Sequence, residues 1–195
     1  MNKQRLSSLK ERLFFTARDV AYIYNIALPS AHVLCSRYMK DGVFIRLKKD
    51  FYVLDSNLER YGEKDFFSIA NMLQAPSYIS LMTALCFYEI TTQVQPNWYE
   101  SISQRRSTQF DRNEFAFKYH RIKSELYFGF VRSDTFFIAE AEKALLDAAY
   151  LVSLNRYSLD WNSLDTKFLD ISRLKDLMTP FPDRVKKIIA ERCRI

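Results

Sequence analysis

The sequence predicts an α+β protein in two parts: a compact helical module closed by a β-hairpin over residues 1–55, and a mixed helix–sheet domain over residues 66–195, with residues 56–65 as a linker. Two patterns and one charge count lead to this reading. Apolar residues recur at helical spacing in three successive N-terminal segments and then give way to two short β-prone runs. Further along, β-prone runs separated by polar turns precede a long amphipathic helix. Residues 1–55 hold ten Lys/Arg against five Asp/Glu, whereas the other 140 residues hold nineteen against eighteen.

Leu6, Leu9 and Leu13 place a first helix over residues 3–14. Thr16 with Asp19 three residues on is a capping-box variant, opening a second helix over Ala17–Tyr24. Val20, Ala21 and Tyr24 form its inward face, and Asn25 ends it. Pro29 and Ser30 open a third helix, since proline in the first turn loses no helical hydrogen bond. Ala31, Leu34, Cys35, Tyr38 and Met39 make its buried stripe, and Asp41-Gly42 stops it. Residues 43–47 and 51–54, joined through Lys48-Lys49-Asp50, read as a hairpin. Three helices and a basic-tipped hairpin, in that order, read as a winged helix-turn-helix.

A positive field confined to such a module is the electrostatic footprint of a DNA-binding protein. Opposite the buried stripe of the third helix, Ser30, His32, Val33, Ser36 and Arg37 are the expected base readers. Arg18, Lys40, Arg46, Lys48 and Lys49 are the expected backbone contacts, which position the module without specifying sequence.

In the second part, residues 66–74 form a short expected helix, 75–77 a break, and 78–87 a further helix. Residues 98–103, 114–122, 123–130 and 136–138 are the expected strands of a small, largely antiparallel sheet. Asp111-Arg112-Asn113 and Arg132-Ser133-Asp134 are the expected turns. A helix over 140–154 turns Ala144, Leu145, Ala148 and Leu151 inward, with Glu142 and Lys143 available for surface pairs. Two more helical patterns cover 171–178 and 183–194.

Several functions are disfavoured. Three glycines leave no phosphate-cradling loop and no dinucleotide fingerprint. Cys35, Cys86 and Cys193 are scattered and odd in number, and the first two sit in apolar helical patterns as small hydrophobes. His32 and His120 lie in separate parts, so a zinc site or a histidine-based triad is poorly supported, and Tyr119 and His120 with Asp111 do not form a convincing acid–base set. No catalytic residue, metal or cofactor is therefore expected. No apolar run suits a membrane span and no secretory signal opens the chain, which reads as cytoplasmic. Arg105 and Arg106, in a polar run, suit a nucleic-acid or acidic partner surface as well as a solvated strand end; Lys186, Lys187, Arg192 and Arg194 read as a solvated helix face, with a second phosphate contact as the alternative.

Three stretches resemble the AbiEi-type antitoxins, regulators of bacterial abortive-infection toxin–antitoxin operons. They are Phe15-Thr16-Ala17-Arg18-Asp19-Val20 through Arg46-Leu47-Lys48-Lys49-Asp50-Phe51-Tyr52-Val53, then Pro76-Ser77-Tyr78-Ile79-Ser80-Leu81-Met82-Thr83-Ala84-Leu85, then Ile138-Ala139-Glu140-Ala141-Glu142-Lys143-Ala144-Leu145-Leu146-Asp147. One departure is Asp50, where the family often has glycine before the aromatic. The resemblance implies that the N-terminal module binds double-stranded operator DNA and represses its own operon. It also implies that the C-terminal domain counteracts a cognate nucleotidyltransferase toxin, a neutralisation thought in much of the family not to need a stable complex. Two alternatives stay open: a stand-alone winged-helix regulator with a dimerising or sensing second domain, and an enzyme that modifies the toxin or an RNA.

Overall fold

The computed structural model describes residues 3–93, 95–112 and 115–193. The chain is a mixed α+β protein that divides into two compact units, Met1–Ile69 and Ala70–Ile195.

The first unit contains α1 (Lys3–Lys10), α2 (Ala17–Tyr24), α3 (Leu28–Lys40), β1 (Phe44–Lys48), β2 (Phe51–Leu54) and the short α4 (Asp55–Leu58). Thr16 caps α2 with both halves of a capping box: its hydroxyl accepts from the Asp19 N–H, and the Asp19 carboxylate accepts from the Thr16 N–H at 2.8 Å. Asn25 ends α2 in the left-handed conformation, with φ 49°. Ala31, Cys35 and Tyr38 of α3 are buried, and Leu34 and Met39 pack against the same core. β1 and β2 pair antiparallel, with a bulge between Arg46 and Lys48 that turns Leu47 into the core. Phe15 adds a bridge to Tyr52 through two backbone hydrogen bonds of 2.9 and 2.8 Å.

One boundary differs from that expected. The first helix stops at Lys10 rather than 14, and carbonyls at and just past its end are taken by side chains from far along the chain. The Asn57 amide donates to the Lys10 carbonyl (3.0 Å) and the Tyr61 hydroxyl to that of Leu13 (2.8 Å). Within the stretch 56–65, residues 56–58 belong to α4, Asn57 is buried, and the chain leads on into α5 (Glu63–Leu73).

The second unit is built on a six-stranded sheet of β3 (Ser77–Ile79), β4 (Trp98–Ser103), β5 (Thr108–Arg112), β6 (Phe115–Arg121), β7 (Phe130–Ser133) and β8 (Phe136–Ala139), in the order β5-β6-β4-β3-β8-β7. It is mixed rather than largely antiparallel: β4–β6 and β3–β8 are parallel, and the other three pairings are antiparallel. Its helices are α6 (Leu81–Phe87), α7 (Ala141–Ser153), α8 (Ile171–Met178) and α9 (Asp183–Cys193).

The helix expected over 78–87 starts late, because Ser77–Ile79 is a central strand with neighbours on both sides. A strand buried on both faces is a continuous apolar run, which periodicity cannot distinguish from a buried helix. Thr108–Arg112 is an edge strand where no strand was expected, and Asn113 of the expected turn lies outside the described residues, as does Glu114. The run 123–130 is mostly a 3₁₀ turn and irregular chain, and β7 extends through Arg132 and Ser133, so the turn there centres on Asp134, at φ 55°. The helix expected over 140–154 is present as α7, with its four inward residues fully buried. Arg194 lies outside the described residues.

Candidate nucleic-acid interface and a buried charge cluster

The capped start of α2 and the proline-initiated start of α3 set the two helices around residues 25–27, where the Ile26 N–H reaches back to the Ala21 carbonyl at 3.0 Å. With Ala31, Cys35 and Tyr38 facing inward, helical geometry turns Ser30, His32, Val33, Ser36, Arg37 and Lys40 outward, and all six are exposed. Val33 keeps 63 % of its surface in water although it is apolar. Burial pushes the Cys35 thiol up to about 11, with the nearby Asp50 carboxylate adding to the shift.

The hairpin presents a second basic element. Arg46 and Lys49 are exposed, and Lys48 is half-buried with its ammonium 5.5 Å from the centre of the Phe51 ring. Asp50 takes the left-handed position of the turn at φ 56°. Its carboxylate accepts the Ala17 N–H at 2.8 Å, which ties the hairpin turn to the first turn of α2. At this left-handed position the aspartate keeps the turn geometry and adds a helix cap.

Arg18 is exposed on α2, and one turn later Tyr22 is 85 % exposed. Tyr22 was missed in the sequence, although its i, i+4 spacing from Arg18 signals a shared outer face.

The second unit holds a different kind of charged group. Lys143 and Asp147, one turn apart on α7, are completely buried and ion-paired. The Lys143 ammonium also donates to the Tyr78 hydroxyl at 2.9 Å. Asp147 accepts from the hydroxyls of Tyr78 (3.0 Å) and Ser80 (2.9 Å). The rings of Tyr78, Phe128 and Phe181 surround the ammonium, each 5.4 Å away. Burial drives the Lys143 pKa down and those of Asp147 and Tyr78 up; the ion pair opposes the first two shifts, whereas the Asp147 charge adds to the third. Gly129 makes the packing possible. Its φ is 68°, and an added Cβ would meet the Lys143 stem at 3.1 Å and Leu177 at 3.3 Å.

This arrangement corrects the expectation of surface pairs for Glu142 and Lys143. Glu142 is buried and accepts the Asp170 N–H at 2.8 Å, so both residues serve the interior. The i, i+4 spacing of Lys143 and Asp147 was visible, but spacing alone cannot tell a solvated helix face from a core pair. With all four polar members at 0 % exposure, the cluster locks β3 to α7 and presents nothing to a ligand in this conformation.

Other expected sites are dispersed or regrouped. Tyr119 donates to the Ala70 carbonyl at 2.6 Å; His120 instead lies 3.9 Å from Glu100, which accepts from the Tyr157 hydroxyl at 2.6 Å; Asp111 is on the edge strand β5. Among the described residues no group of three or more His, Cys, Asp or Glu is placed to hold a metal ion. Arg106 lines a pocket with Arg121, Lys123 and Arg156, and exposed Arg105 is not among its walls. On α9, Arg192 lies 5.7 Å over the Trp161 ring and Lys186 pairs with Asp183 at 3.6 Å. Among the described residues no helix is long and apolar enough to cross a membrane.

No protein-family profile and no curated protein sequence matches the chain. Its fold is similar to that of the Rv2827c protein from Mycobacterium tuberculosis, known from a crystal structure. The TM-score is 0.62 at 11 % sequence identity, covering 98 % of this chain and 75 % of that one. At that identity the likeness establishes a shared mixed α+β fold.

Proposed function

We propose that the first unit is a winged helix-turn-helix that binds double-stranded operator DNA, and that the protein is the autoregulating antitoxin of a toxin–antitoxin pair. The observation that carries the DNA-binding reading is the outer face of α3. All five expected base readers, Ser30, His32, Val33, Ser36 and Arg37, are exposed on it while the opposite stripe is buried. In this motif the second helix enters the major groove, where Arg37 can fork onto guanine O6 and N7 and Val33 can pack on a thymine methyl. Arg18 and Tyr22 on α2, with Lys40, Arg46, Lys48 and Lys49, face the phosphates. The bridge from Phe15 to Tyr52 and the Asp50 cap support the reading further, because they hold a hairpin rigidly beside a helix pair as a wing requires.

Fluorescence anisotropy against the DNA upstream of the native gene tests this. Saturable binding with a steep loss of affinity as salt rises is expected, and Lys49→Ala should reduce the salt slope by about one. A salt-independent affinity removes the reading. The antitoxin role rests on the resemblance in residues 76–85 and 138–147. Co-expression with an adjacent nucleotidyltransferase gene tests it, and failure to rescue growth while operator binding persists leaves a stand-alone regulator.

A further inference from the structure

We propose that the second unit carries a binding site for a compact polyphosphate, the di- or triphosphate group of a small molecule. The site is a pocket of about 400 Å³ where three separate chain segments meet. The turn between β4 and β5 brings Arg106 and Ser107, the end of β6 brings Arg121 and then Lys123, and the chain just past α7 brings Arg156.

The pocket is held in place by its own hydrogen bonds. The Arg156 guanidinium donates to the Ser107 hydroxyl at 2.9 Å and to the Arg121 carbonyl at 3.3 Å. The Arg121 N–H donates to the same hydroxyl at 3.0 Å. The Gln74 amide anchors the Arg106 carbonyl at 2.8 Å. A serine hydroxyl has two acceptor lone pairs and one proton. Both lone pairs of Ser107 are engaged, so its O–H is left to donate to an anion.

The charge is one-sided. No acidic residue lines the pocket, and among the described residues Arg106, Arg121 and Arg156 have no carboxylate partner. Lys123 pairs with Glu125 at 3.5 Å, and both are more than half exposed, so an incoming anion competes easily for that ammonium. Guanidinium forks beside a hydroxyl donor match phosphoryl oxygens. Four cationic heads suit a polyphosphate better than a single phosphate.

Size and shape favour a small ligand over a nucleic acid strand. Strand-binding grooves track a backbone and offer exposed aromatic platforms. The one aromatic in this wall, Tyr150, is only 5 % exposed and offers no face for a base. The ligand is therefore recognised through its phosphates. This site stands apart from the DNA-binding reading of the first unit.

Calorimetric titration of the full-length protein at low salt, with sodium tripolyphosphate, ATP, inorganic phosphate and a single-stranded RNA 12-mer as probes, tests the proposal. Tripolyphosphate and ATP should bind one to one with affinities within about threefold of each other, and monophosphate at least about tenfold more weakly. Arg121→Ala and Arg156→Ala should each weaken tripolyphosphate about tenfold with the thermal melt retained, while Lys175→Ala, an exposed change on α8, leaves it unaltered. Three results overturn the proposal: no saturable binding of tripolyphosphate up to about 10 mM, binding indifferent to both arginine variants, or tighter binding of the 12-mer that those variants abolish.

Discussion

The outer face of α3 and the core face of α7 treat charge in opposite ways. In Met1–Ile69, Arg37 and Lys40 of α3 and Arg46 and Lys49 of the hairpin are exposed, on faces defined by what is buried behind them. In Ala70–Ile195 one lysine and one aspartate are withdrawn completely and compensated by each other, two hydroxyls and three aromatic rings. A solvated cation is inexpensive to place and available to a polyanion. A buried one has lost its hydration, so its partners become obligatory and the group acts as a structural lock. Position along a helix does not decide between the two outcomes; the surface packed against that helix does.

The strongest way to break this contrast is to remove one half of the lock. Asp147→Ala should destabilise the protein by about 3–5 kcal/mol, because it strands a buried ammonium. The double change Lys143→Met with Asp147→Leu should recover most of that loss in urea denaturation, since a buried ion pair can be replaced by apolar packing. A mild effect of Asp147→Ala alone would mean that the pair is hydrated in solution. Next in size is Gly129→Ala. The left-handed φ costs about 1–2 kcal/mol and the contact with the Lys143 stem about 1–3 kcal/mol more, read by the same denaturation.

Arg37→Ala sharpens the other side. On the proposed DNA-binding reading it should weaken operator binding by about 1–3 kcal/mol and leave the melting temperature within experimental scatter, because an exposed side chain leaves the core intact. Loss of both affinity and stability would place Arg37 in the fold rather than at the interface. Asp50→Ala should cost about 1–2 kcal/mol through left-handed strain and the lost cap, and Asp50→Asn less, since asparagine tolerates that conformation.

The smallest signal concerns the buried thiol of α3. The folded-state pKa of Cys35 is raised from 9.0 to about 11, so the folded protein keeps its proton where the unfolded chain has lost it. This contribution to stability is fully present below pH 9 and is lost as pH rises towards 11. Stability curves compared with Cys35→Ala across that window isolate the effect. An identical pH dependence in both proteins would show that the thiol reaches water.

Much of the first unit was legible because its signals are local. The Thr16–Asp19 box, Asn25, Pro29 and Gly42 punctuate the helices through contacts within a few residues, and the stripe from Ala31 to Met39 states which face turns in. The outer face of α3 is the complement of that stripe, so its exposure too could be read. What could not be read there is non-local: the bonds of Asn57 and Tyr61 to the Lys10 and Leu13 carbonyls join residues far apart in the chain.

The second unit was less legible for the same reason on a larger scale. Ser77–Ile79 is a strand because β4 and β8 lie on either side of it, and a three-residue apolar run contains no trace of them. Thr108–Arg112 did carry a period-two pattern, with Thr108, Phe110 and Arg112 half-buried, but its polar composition masked an edge strand. The pocket cations come from positions 106, 121, 123 and 156, and no spacing rule unites them.

The sequence alone determined the α+β class, the order of the N-terminal helices and hairpin, the asymmetry of charge, and the outward face of α3, because composition and short-range periodicity are sufficient for each. Tertiary structure decided the mixed sheet and the regrouping of distant arginines, and it turned the Lys143–Asp147 pair from an ordinary helix-surface spacing into a core lock. Those outcomes depend on which surfaces exclude water from which side chains, and desolvation is set by neighbours far away in the chain.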